Sequence, residues 1–118
     1  MFDENYIEDF LSWDKGSSLI ALWIASKEYP PFKGNLDLAK NGFFFLTERF
    51  MRDGILKLAR DGVFWEGSIG DQLKRFEEAW PKEYDDTVEE KDINCLWWYV
   101  FAPAGAVWVY PDGKLVWT

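Results

Sequence analysis

The sequence predicts an α+β fold: about five helices packed on an antiparallel sheet of about four strands, built from two β-hairpins near 55–65 and 106–117. Three observations carry this. Asp61-Gly62 and Asp112-Gly113 each separate two short apolar runs, as a tight hairpin turn requires. Most of the remaining chain repeats apolar residues at helical spacing. Finally, 48% apolar and 19% aromatic residues against 29% charged give a chain of 118 residues enough bulk to bury one core, so residues 1–118 read as a single domain.

In chain order, Asp3 is a candidate N-cap for a helix over about 4–13, with Tyr6, Ile7, Phe10 and Leu11 on one face and Gly16 at its end. Ser17 or Ser18 then caps a second helix that stops before Pro30-Pro31. Leu19, Ile20, Leu22, Trp23 and Ile24 leave it almost no polar face, which predicts burial all round. A strand over 19–25 is the alternative; the flanking serines and Lys-Glu favour the helix. Residues 29–35 are a loop by composition. Asn35 caps a third helix, about 36–53, that buries Phe43, Leu46, Phe50 and Met51 and ends at Gly54. The first hairpin follows. Ser68-Ile69-Gly70-Asp71 is a capping-box pattern opening a helix over 69–80, with Ile69, Leu73, Phe76 and Trp80 as its apolar stripe and Pro81 as its stop.

Residues 82–91 are acidic and expected on the surface. In 93–101, Ile93, Leu96, Trp97, Val100 and Phe101 have helical spacing while the residue types favour strand; helix is preferred. The last fourteen residues, Gly105 to Thr118, form the hairpin that closes the fold. Gly54, Asp61 and Gly62 recur at the spacing of Gly105, Asp112 and Gly113, each set after an apolar helix. The two hairpins are therefore expected side by side, whether the echo is a duplication or a coincidence of common turns.

Composition narrows the chemistry. There is no histidine, which removes Ser-His and Cys-His nucleophilic sites, histidine metal sites and the usual neutral-pH base. One cysteine, Cys95, builds neither a disulfide nor a structural zinc site, and beside Leu96-Trp97-Trp98 it reads as a small buried hydrophobe. Gly62 to Gly70 lacks the spacing of a phosphate loop. No metal or cofactor site is expected. Adjacent acids at 77–78, 85–86 and 89–90 read as solvated surface, whereas a carboxylate enzyme needs two carboxyls facing across a cleft. The longest apolar run, Leu19 to Ala25, is far too short to span a bilayer, and no secretory signal opens the chain, so a cytoplasmic protein without a membrane partner is expected.

The formal charge of −8 is unevenly spread. Residues 1–14 hold five acids and no base, residues 83–92 hold six acids and one base, and the rest is slightly basic. Such a surface disfavours nucleic acid, which is held through Lys and Arg at phosphates, and favours a basic protein partner. The candidate contact residues are Glu83, Asp85, Asp86, Glu89, Glu90 and Asp92, with Trp98 and Tyr99 as aromatic neighbours, and the N-terminal acids Asp3, Glu4, Glu8 and Asp9 are the second candidate patch. The plainer reading makes the acids a solubility feature and both aromatics core or core edge.

The segment Phe101-Ala-Pro-Ala-Gly-Ala-Val-Trp-Val-Tyr110, with Asp112-Gly113-Lys114 and Trp117, resembles the ending of a small bacterial family of unknown function. Phe43 to Gly54, Ile55 to Ala59, Gly67-Ser68 and Gln72 to Pro81 are similar to it as well. Small acidic proteins of this sort look like immunity proteins of contact-dependent growth inhibition and other polymorphic toxin systems. The resemblance implies a non-enzymatic protein that binds and neutralises one cognate toxin, a basic nuclease-type domain fitting the charge. Two other classes stand beside it: a small carboxylate-based enzyme or ligand-binding domain, and an adaptor whose exposed tryptophans make a homodimer.

Overall fold

The computed structural model describes residues 1–118 and has the predicted architecture: five helices packed against an open four-stranded antiparallel sheet. The helices are α1 (Glu4–Asp14), α2 (Ile20–Glu28), α3 (Leu36–Arg52), α4 (Ile69–Ala79) and α5 (Leu96–Val100). The strands are β1 (Leu56–Arg60), β2 (Val63–Phe64), β3 (Gly105–Val109) and β4 (Leu115–Trp117), in spatial order β2-β1-β3-β4. The two hairpins thus meet along β1 and β3, with Leu56 opposite Trp108 and Leu58 opposite Ala106. The outer strands have only two and three residues. No helix is long and apolar enough to cross a membrane.

The hub is α3. Its inward face buries Phe43, Leu46 and Phe50, and Asn35 caps it by accepting the Leu38 N–H at 3.1 Å. Gly42 lies where α2 crosses, and a Cβ there would run into Ser26 Oγ and the rings of Phe2 and Phe32. The Ser26 hydroxyl donates to the Ala39 carbonyl at 2.6 Å across the same crossing. On the other flank, Phe43 and Phe44 meet Phe76 of α4. The sheet's inner face reaches the hub through Trp108, which packs on Phe50 and Phe10.

Local signals explain most element ends. Asp3 caps α1 by accepting the Asn5 N–H at 2.8 Å, and Ser68 caps α4 by accepting the Asp71 N–H at 3.0 Å. Asp61 and Gly62 have φ of 52° and 79°, the pair of positive values that a two-residue type I′ turn needs. Trp80 closes α4 in extended conformation, as a residue before proline prefers, so the helix ends one position short of the predicted 80.

Four expectations give way. Neither Ser17 nor Ser18 caps α2 with its side chain; Leu19 holds the N-cap position, already helical and buried, and the Ser17 carbonyl accepts the Trp108 indole N–H at 2.7 Å instead. Nor is α2 buried all round: Leu22, Trp23 and Ser26 face in, and Ile24 is exposed. The helix predicted over 93–101 is only Leu96–Val100, because residues 92–95 form a turn. Its single turn is oriented by Trp97 and Trp98, so Leu96, Val100 and Phe101 point outward despite their helical spacing. For the same reason Cys95 is exposed rather than buried: it precedes the helix, outside the face the tryptophans occupy.

The open face of the sheet carries a small cluster of its own. Ala59 and Val107 are buried on the side opposite Leu56 and Leu58. The rings of Phe64 and Trp117 stack at 5.0 Å over that side, with the Lys57 ammonium 5.0 Å from the Phe64 ring.

Candidate partner-binding surface

The acidic stretch 83–92 is a strap running from the end of α4 to the start of α5. It starts where the Tyr84 hydroxyl accepts the Trp80 indole N–H at 2.8 Å. Asp85 then makes a turn of its own, its Oδ1 accepting both the Thr87 N–H at 2.9 Å and the Thr87 hydroxyl at 2.6 Å. These two hydrogen bonds hold the Asp85 carboxyl below its ordinary pKa of 3.8, so it is charged at neutral pH. The Asp85 N–H donates to the Lys91 carbonyl at 3.1 Å, which closes the strap on itself around a 3-10 turn at Glu89–Lys91. Lys91 pairs with Glu83 at 3.2 Å, and Asn94 reaches Asp86 at 3.3 Å.

The eight residues singled out from sequence divide into three groups. Glu83, Asp85, Asp86, Glu89 and Glu90 are exposed on the strap. Asp92 and Trp98 are buried, at 6% and 9% exposure, and neither stands on the strap's open surface. The Asp92 carboxylate accepts the Leu96 N–H at 3.1 Å, and its carbonyl accepts the N–H groups of Cys95 and Trp97. It is the starting block of α5, and a one-turn helix needs such a cap because its own ladder is so short. Trp98 donates its indole N–H to the Ile93 carbonyl at 2.6 Å and packs on Trp23, Phe43, Phe76 and Trp80. Tyr99 is 69% exposed, but it borders a different feature, a cleft of about 290 Å³ at the end of the sheet lined also by Arg60, Ala104 and Thr118.

The N-terminal acids are also a candidate patch in the sequence, but the groove that one of them, Asp9, borders is not foreseen there. Between α1 and α2 lies a groove of about 320 Å³ whose apolar walls include Phe10, Trp13 and Ile24 and whose acids are Asp9, Asp14 and Glu28. Trp13 is 85% exposed. The available signal was the stripe Tyr6, Phe10, Trp13 at i, i+4, i+7, which runs on past the face read as core.

Comparison with known proteins places the chain. No curated protein matches it. A solved structure described as an uncharacterized protein conserved in bacteria, from Neisseria meningitidis, superposes with a TM-score of 0.78 at 31% sequence identity, over 97% of this chain and 84% of that one. The family model described as "Protein of unknown function, DUF596" matches residues 51–118, which take in the sheet, α4, the acidic strap and α5. The chain belongs to the DUF596 family of proteins of unknown function.

Proposed function

We propose that this chain is a non-enzymatic binding protein of the immunity type, which holds a cognate toxin domain through that domain's basic surface. The observation that carries the reading is the strap. Its backbone is ordered before any partner arrives, by the Asp85 turn, the Lys91–Glu83 pair and the tryptophans beneath, and it holds the exposed acids in one place. A charged surface that is already ordered loses little conformational entropy on binding, and its field raises the rate of encounter with a cation-rich partner. Asp86, Glu89 and Glu90 are the acids least committed to the strap's own backbone.

The test is co-purification. The gene upstream would encode a large secreted protein with a short toxic C-terminal region, and that region, co-expressed, is expected to form a complex with this chain. Reversing Asp86, Glu89 and Glu90 to Lys, with Asp85 left in its turn, is expected to slow association at least tenfold at low salt and to abolish protection. Full protection by the triple variant would move the interface off the strap.

A further inference from the structure

The groove between α1 and α2 has what a docking site for a helix needs. One wall is α1, presenting Phe10 and Trp13; the other is α2, presenting Ala21 and Ile24. Trp13 buries little of its ring in the fold, and Trp is among the residue types enriched at interface hot spots. Ile24 is likewise exposed beside it. The groove is closed at one end by the Tyr6 hydroxyl, which donates to the Ala25 carbonyl at 2.6 Å and fixes the two helices relative to each other.

Its charge is of one sign. Asp9, Asp14 and Glu28 line it, and no base does. The two nearest bases in sequence are engaged elsewhere: Lys15 lies over the Tyr110 ring at 4.3 Å, and Lys27 donates to Asn94 at 2.8 Å. Burial first, and then the nearby Glu28, Tyr29 and Asp14, hold the Tyr6 phenol above its ordinary pKa of 10.0. Asp9, Asp14 and Glu28 are all exposed, so they are hydrated charges able to meet a cation at the rim.

We infer that this groove binds an amphipathic, cationic helix of a protein partner, with the helix's apolar side chains against Trp13 and Ile24 and its Lys or Arg side chains on Asp9, Asp14 and Glu28. The inference rests on the immunity reading for the partner being a basic protein, and it names a second contact on that partner beside the strap.

The experiment uses a synthetic eighteen-residue helical peptide with Leu on one face and Lys and Arg on the other, titrated into the full-length protein labelled with ¹⁵N. Chemical-shift changes are expected at Tyr6, Ile24 and Glu28 and at the Trp13 indole. Trp13→Ala, and separately the Asp9→Lys, Asp14→Lys, Glu28→Lys triple variant, are expected to weaken the peptide at least tenfold. A peptide of equal charge with Ser in place of Leu is expected to bind at least tenfold more weakly than the parent. Shifts concentrated on 83–92 or on β2 and β4 overturn the inference. So does an affinity within twofold of wild type in both variants, and so does absence of binding. The two readings fail separately. Peptide binding in the groove without toxin co-purification sinks the toxin and keeps the groove. Toxin co-purification that neither groove variant weakens does the reverse.

Discussion

The two acidic segments carry similar charge and are built in opposite ways. In α1 the acids ride on a regular helix whose backbone needs only one of them, Asp3 at the cap, while Glu4 is taken by Arg49 at 2.8 Å. Asp9 and Asp14 are left free beside an apolar groove. The strap has no α-helix of its own, and there acids set the backbone: Asp85 makes the turn and Asp92 starts α5. Counting carboxylates in a sequence therefore overstates the charge a partner can use, by the number that the backbone requires where regular structure is missing.

Experiments sharpen that contrast, beginning with the largest effect. The strap depends on the aromatic core, so Trp80→Ala, at a buried residue packed on Trp23, Phe43, Trp97 and Trp98, is expected to cost about 3–5 kcal/mol in urea unfolding. A loss below about 1 kcal/mol would mean the core closes without it. Asp92→Ala removes a buried acceptor from the Leu96 N–H and is expected to cost about 1–3 kcal/mol. Asn at the same place keeps an acceptor and should recover part of the loss. In α1, Asp3→Ala is expected to cost about 1 kcal/mol as a lost cap. Asp14→Ala should fall within about 0.5 kcal/mol of wild type, because its side chain serves no backbone group. Equal losses at positions 14 and 92 would erase the distinction between free and structural acids.

The smallest effect is on pH. The folded pKa of Asp85 lies below its unfolded value, so its contribution is present in full above the ordinary 3.8 and is lost as pH falls through the lower folded value. Acid titration followed at the Thr87 amide by NMR is expected to show the Asp85–Thr87 hydrogen bonds surviving to a pH below 3.8. Thr87→Ala removes the hydroxyl donor and should bring the midpoint back toward that value.

Much of the fold was legible because its signals are local. Asp3, Asn35 and Ser68 accept the N–H groups that their types and positions predict, and Asp61-Gly62 turns as its chemistry demands. What could not be read was the outcome of competition between side chains for one core. Trp97 and Trp98 are adjacent, yet both are buried, because a helix of a single turn answers to its two largest side chains rather than to a stripe. Tertiary packing likewise decides that the Ser17 carbonyl serves Trp108, ninety-one positions away in the chain, in a place where a side-chain cap was expected. At the candidate surface, the exposed acids of the strap were identifiable by composition. The burial of Asp92 depends on a turn, and the α1–α2 groove depends on how two helices lean together, so the Tyr6, Phe10, Trp13 stripe signals one wall of it and not the other.

The brevity of β2 and β4 has a consequence for the molecule in company. A sheet edge offers unpaired N–H and C=O groups to any passing strand, and long flat edges seed polymerisation. Here each edge is too short to register more than a few hydrogen bonds with a neighbour. A chain this rich in tryptophan and phenylalanine, with an apolar pair stacked on its open face, thus presents little edge for growth by strand addition. Lengthening β4 with alternating Val and Thr should make the protein a fibre former.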